Sequence, residues 1–178
     1  MKYVLLLRGI NVGGHRKVEM KRLKSLLESL GYSDVKTYLN TGNIFFQTAK
    51  KQIDIQKQIP IVLAKEFGFE IQSLVKTQDE VRKITEAIPS EWTNDSEQKS
   101  DIAYLFPEID SVETIDLLPI KKAFVDIQYV QGALIWTVNR KNYNKSHMNK
   151  LASHKYYQLM TIRNVNTARY IGSEVEKS

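Results

Sequence analysis

The 178-residue chain contains no cysteine. That absence excludes disulfides, thiolate metal sites and a cysteine nucleophile, and it fits a reducing compartment, so a cytoplasmic location is expected. Histidine is scarce too, with only His15, His147 and His154. On a helix the last two would stand about 10 Å apart along the axis, too far to share one ion, so no metal site is expected. Long apolar runs are also missing. The five apolar residues of "YVLLL" before Arg8 are too few for a signal-peptide core, and no stretch approaches the roughly 18 residues of a membrane span. The phosphate-loop patterns GxGxxG and GxxxxGK[ST] are absent, as is the GxSxG elbow of serine hydrolases, so none of those three chemistries has a local signature.

What is present reads as an ordinary globular chain, 42% hydrophobic and 26% charged, long enough for one domain or two small ones. The net charge of +6 is unevenly spread. From Asp79 to Asp116 there are eleven acids against three bases, whereas Arg140 to Arg169 carries seven Lys or Arg and no acid. One end of the molecule is therefore expected to be basic, which suits an anionic partner.

Periodicity gives a strand at Tyr3–Arg8 and a helix at Met20–Leu30, where Met20, Leu23, Leu26, Leu27 and Leu30 repeat at helical spacing and Gly31 stands at the C-cap. A hairpin follows around 40–43. Ile55, Ile59, Val62, Leu63 and Phe67 then predict a helix over 54–67, which Pro60 should break or kink. "FEIQSLV" reads as a strand. After a helical linker and an exposed loop over 79–100, the pattern resumes: strand "DIAYLF", a helix near 111–118, strands "AFVDIQYV" and "ALIWTV", a helix over 146–157 and a strand near 159–162. The expected fold is α+β, two ferredoxin-like βαββαβ halves (1–78 and 101–178) packed together, plus a C-terminal helix starting near Asn164 or Asn166.

Three polar stretches carry candidate chemistry. In "RGINVGGHRK", glycines at Gly9, Gly13 and Gly14 allow close backbone approach, Arg8 adds charge, and a helix N-terminus follows; the same residues also suit a plain strand-to-helix connection. In "YLNTGN", Asn40, Thr41 and Asn43 offer neutral donors and acceptors, or form an ordinary turn. In "TIRNVNTARY", Arg163, Asn164, Asn166 and Thr167 sit at the start of the last helix, as an anion site or as a cap and a surface ion pair.

These stretches resemble the signature blocks of an uncharacterised bacterial family, a domain of unknown function. The likeness spans essentially the whole chain, with Thr41 where the family has serine and Val165 where it has an aromatic. The resemblance implies paired ferredoxin-like halves and no established activity, cofactor or substrate.

The expectation from these residues is a small anionic or polar ligand held where the three stretches converge. Arg8 and Arg163 would meet the anion, while Asn11, Asn40, Asn43 and Asn166 orient it beside Gly13, Gly14, Thr41, Asn164 and Thr167. No evident nucleophile or general base accompanies them, so catalysis stays open and no cofactor is indicated. The alternative is a nucleic-acid module, since the basic segment 140–169 interleaves Tyr143, Tyr156 and Tyr157. The first strand, apolar on both alternating faces, argues for a sheet covered on both sides rather than an open RNA platform.

Overall fold

The computed structural model describes residues 1–177. Its first half runs β1 (Lys2–Leu7), α1 (Met20–Ser29), β2 (Ser33–Tyr38), β3 (Asn43–Gln47), α2 (Gln52–Phe67) and β4 (Ser73–Thr77). After α3 (Gln78–Glu86), the second runs β5 (Gln98–Leu105), α4 (Thr114–Leu117), β6 (Val125–Val130), β7 (Ala133–Asn139), β8 (Met160–Asn164) and α5 (Val165–Glu176). Each half forms one four-stranded antiparallel sheet, in the orders β2-β3-β1-β4 and β6-β7-β5-β8. Both orders are that of the ferredoxin-like fold, and α5 is the expected C-terminal helix. The chain divides between Val81 and Arg82, with residues 175–177 grouped with the first half. No helix among the described residues is long and apolar enough to cross a membrane.

In the first half, Tyr3, Leu5 and Leu7 pack with Leu23, Leu27, Ile55, Ile59 and Leu63. Val4 and Leu6, on the opposite face of β1, are equally buried. An alternation with no polar side is thus matched by a strand covered on both faces.

The helix α2 corrects the expected break, because it continues through Pro60. Proline costs a helix interior about 3 kcal/mol, but Ile55, Ile59 and Leu63 are all fully buried along one face. At about 1.5–3 kcal/mol each, their burial outweighs a local break. The helix ends where Gly68, at φ 80°, donates its N–H to the Ala64 carbonyl (2.9 Å). On the side facing β4, Gln56 Nε2 donates to the Ser73 carbonyl and its Oε1 accepts from Val75 N–H, both at 2.7 Å. Gln52 Nε2 donates to the Val75 carbonyl (2.9 Å).

The second half departs further. The helix expected over 111–118 shrinks to the four residues of α4. The helix expected over 146–157 is absent: the chain forms 3-10 turns at Met148–Ser153 and Lys155–Leu159, interrupted by an extended His154 and preceded by His147 at φ 62°. Local polar bonds explain this. Ser146 Oγ donates to the Tyr143 carbonyl (2.7 Å) and accepts from Met148 N–H (3.3 Å), and His154 Nδ1 accepts from Tyr156 N–H (3.3 Å). Such side chains offer the backbone an alternative to helical pairing. The loop before β5 is not wholly exposed either: Trp92 is buried, and its carbonyl accepts from Arg169 Nη1 (2.8 Å).

Candidate functional site

The opening loop turns on left-handed backbone. Gly9, Gly13 and Gly14 have φ of 67°, 59° and 78°, and Asn11 and Arg16 lie at 55° and 53°. Its tip is a small hairpin in which Asn11 N–H donates to the Arg16 carbonyl and His15 N–H to the Val12 carbonyl, each at 3.1 Å. Asn11 Nδ2 also donates to the Asn40 carbonyl (2.8 Å), so the first two polar stretches do meet within the first half. Asn43 is fully buried, with Nδ2 donating to the Tyr38 carbonyl (2.9 Å) and to Thr41 Oγ1 (3.1 Å). These asparagines thereby brace the loop and the turn. Arg8 Nη1 donates to Gln72 Oε1 (3.1 Å), and Arg16 lies over the Phe69 ring while donating to the Glu70 carbonyl.

The third stretch belongs to the second half. Arg163 lies in β8 rather than at a solvent-facing helix start and is 8% exposed. Its Nη1 donates to Thr161 Oγ1 and to the Ile162 carbonyl, both at 2.9 Å. The pairings Ile102–Arg163 and Tyr104–Thr161 put it on the same sheet face as Tyr104. Burial lowers the Arg163 pKa to about 10, against the opposing influence of Tyr104, while burial raises the Tyr104 phenol and Arg163 partly offsets that rise. The helix start itself is capped: Asn164 Oδ1 accepts from Thr167 N–H (2.9 Å), Thr167 is buried and Asn166 is exposed. Asn164, not Asn166, takes the capping role.

The other face of the second sheet carries a feature whose charged and aromatic residues lie outside all three stretches. Along β5, Lys99, Asp101, Ala103 and Leu105 share one face, and the pairings Asp101–Trp136 and Ala103–Ile162 add Trp136 and Ile162 to it. Over these residues lie the 3-10 turns. The irregular cover leaves a cavity of about 330 Å³, lined also by Tyr143, Met148, Leu151 and Tyr157. Lys99 Nζ meets Asp101 Oδ2 at 2.9 Å, with side chains 30% and 8% exposed. The buried Trp136 indole N–H has no hydrogen-bond partner among the described residues.

This arrangement combines flat aromatic walls with one cation and one carboxylate, at a volume in the range of small-molecule sites. Sequence reasoning passes over Lys99, Asp101 and Trp136. The available signal is the alternation in "KSDIAYL", which places two charged residues on the same strand face as Ala103 and Leu105.

No curated protein matches the chain. Among solved structures, the chain resembles the conserved bacterial protein SP0830 from Streptococcus pneumoniae, with a TM-score of 0.84, 26% identity and 98% of each chain covered. The family model described as a protein of unknown function (DUF1697) matches residues 1–136, a span that holds the opening loop and the first hairpin turn and stops before Arg163. Covering well over half of the sequence, that match establishes that the chain belongs to the DUF1697 family.

Proposed function

We propose that the protein binds a small anionic or polar ligand and that the cavity of its second half receives it. The observation carrying this reading is the Lys99–Asp101 ion pair at 2.9 Å set in a wall that is otherwise aromatic and aliphatic apart from Asn149. Charges in such a wall are costly to hold unless paired, and a ligand that meets both offers each a further partner. The surrounding segment, 140–169, carries seven basic residues and no acid, which favours an anion.

The test is a thermal-shift screen of metabolite-sized anions and polar compounds on wild type and on Ala152→Trp. Ala152 is an exposed residue of the cavity wall, so tryptophan there blocks the cavity without entering the core. A ligand at 100 times its Kd adds about 2.7 kcal/mol of stability. That stabilisation is expected in wild type and lost in the variant. A compound that stabilises both equally would move the site elsewhere, first to the opening loop beside Arg8, where Gly13 and Gly14 are exposed.

A second reading, nucleic-acid binding, is favoured by the exposed Lys141, Lys145, Lys150 and Lys155. It predicts affinity that falls steeply with salt. Against an open aromatic platform stands the second sheet, where Ile102, Tyr104 and Ile135 are fully buried on one face and Ala103, Leu134 and Trp136 on the other.

A further inference from the structure

We infer that the ligand of this cavity is a guanine-bearing phosphate, either a free mononucleotide or a guanosine unit of a single strand. The inference rests on the cavity being a ligand site and names what that site selects.

Three aromatic side chains line the cavity, of which Trp136 is almost wholly buried, so the half-buried Tyr143 and Tyr157 offer the ring surface. Flat rings favour a flat ring between or against them, and nucleobases stack on such surfaces irrespective of sequence. A cation held by the aromatic rings is the competing ligand class. The charges argue against it, because Lys99 already balances Asp101, and the exposed Lys141, Lys145 and Lys150 flank or interrupt the wall residues Tyr143, Asn149 and Leu151. The same lysines suit a phosphate outside the cavity while a ring lies within. A volume of about 330 Å³ suits one nucleotide rather than several.

The ion pair then selects the base. Lys99 presents donors only, and Asp101 acceptors only, with Nζ and Oδ2 2.9 Å apart. The Lys99 contact engages Oδ2 and leaves Oδ1 to accept from a ligand. Uracil's single N–H is followed by a second carbonyl that would face Asp101, so a base edge that fits must carry a carbonyl oxygen followed by two N–H groups. Guanine does so, its O6 accepting from Lys99 while N1–H and the exocyclic amine donate to Asp101. Adenine presents an amine where that oxygen would be, leaving Lys99 without an acceptor.

The experiment is calorimetric titration of the full chain with GMP, AMP, guanosine, inorganic phosphate and a short guanine-containing single-stranded RNA, followed by Asp101→Asn. GMP is expected to bind one per chain and at least about tenfold more tightly than AMP, the scale of one good base-edge contact. Guanosine should bind more weakly and phosphate not measurably. Asp101→Asn should weaken GMP about tenfold and leave AMP nearly unchanged, and the wild-type GMP-to-AMP ratio tests the same selectivity without a variant. Tighter binding of the RNA than of GMP, falling steeply with salt, would assign the guanosine unit to a strand; equal or weaker binding assigns it to the free nucleotide. Equal affinity for GMP and AMP, or phosphate binding as well as GMP, overturns the inference. If no nucleotide binds but a screened compound stabilises wild type and not Ala152→Trp, the guanine assignment fails and the cavity reading stands. If nothing binds in the cavity, both fail.

Discussion

Asn11 and Val18 hold each other twice. Asn11 Nδ2 donates to the Val18 carbonyl (3.0 Å), and Val18 N–H returns a bond to Asn11 Oδ1 (2.8 Å). With the further donation to Asn40, one carboxamide joins the opening loop, the approach to α1 and the first hairpin turn. Asn11→Ala is expected to destabilise the protein by about 1–3 kcal/mol, the sum of a few net hydrogen bonds in a partly buried place. Asn11→Asp keeps the acceptor for Val18 N–H but turns a carboxylate toward two carbonyls, and should be at least as costly. Urea unfolding of both variants measures this, and a loss within experimental error for alanine would make the clamp ornamental.

Gly42 and Gly68 share a left-handed φ, 79° and 80°, but not a neighbourhood. A Cβ at Gly42 would lie 2.6 Å from Leu7 Cβ, whereas at Gly68 it would meet nothing within 4 Å. Gly68→Ala should therefore cost the conformational strain alone, about 1–2 kcal/mol. Gly42→Ala should cost that plus about 1–3 kcal/mol of overpacking against a core side chain. Equal denaturation midpoints for the two variants would contradict this.

Arg163 is an interior cation, and its removal should register in stability first. Arg163→Ala is expected to cost about 1.5–3 kcal/mol, the scale of hydrogen bonds from a charged group. Lysine should recover only part of it: one nitrogen, Nη1, makes both bonds, but an ammonium is more strongly hydrated than a guanidinium and costs more to bury. Thermal melts of the two variants decide the matter, and an unchanged alanine melt would return Arg163 to the role of a ligand contact.

Asp95 accepts from the Thr93 hydroxyl (2.6 Å) and from the N–H groups of Gln98 and Glu97 (2.8 Å each). Led by the Thr93 bond and helped by Arg140, these lower its pKa from 3.8 to about 2. The folded state thus holds the proton less tightly than the unfolded chain. The resulting stabilisation is fully present above about pH 4 and fades as pH falls toward 2. Carboxyl chemical shifts should place the Asp95 midpoint near 2, and Asp95→Asn should flatten the stability profile across that interval.

Several elements are readable because one periodicity dominates them. Leu23 and Leu27 announce α1, and "YVLLL", apolar at every position, announces a strand covered on both faces. Pro60 misleads because its local cost is visible in the sequence while the compensating burial of Ile55, Ile59 and Leu63 depends on the folded core. The turns over 148–159 escape a periodic reading for the opposite reason: Met148 and Leu151 are spaced as in a helix, but Ser146 and His154 bind nearby backbone N–H groups. The candidate site is the least legible part. Asp101 and Trp136 stand 35 positions apart and become neighbours through the pairing of β5 with β7, and the cavity exists because the cover above them is not a regular helix.

The glutamines of α2 have a consequence for the life of the chain in a crowded solution. Strand β4 ends the first sheet, and the backbone groups of Ser73 and Val75 that face away from β1 would form a template for another extended chain. Gln56 occupies that template as a peptide group would, donating to one residue and accepting from the next but one, and Gln52 takes the remaining carbonyl. A row of open pairing sites is thereby closed by side chains that belong to the same half. This border of the sheet offers incoming strands little to add to, which guards the β4 side against edge-to-edge aggregation without proline or bulge.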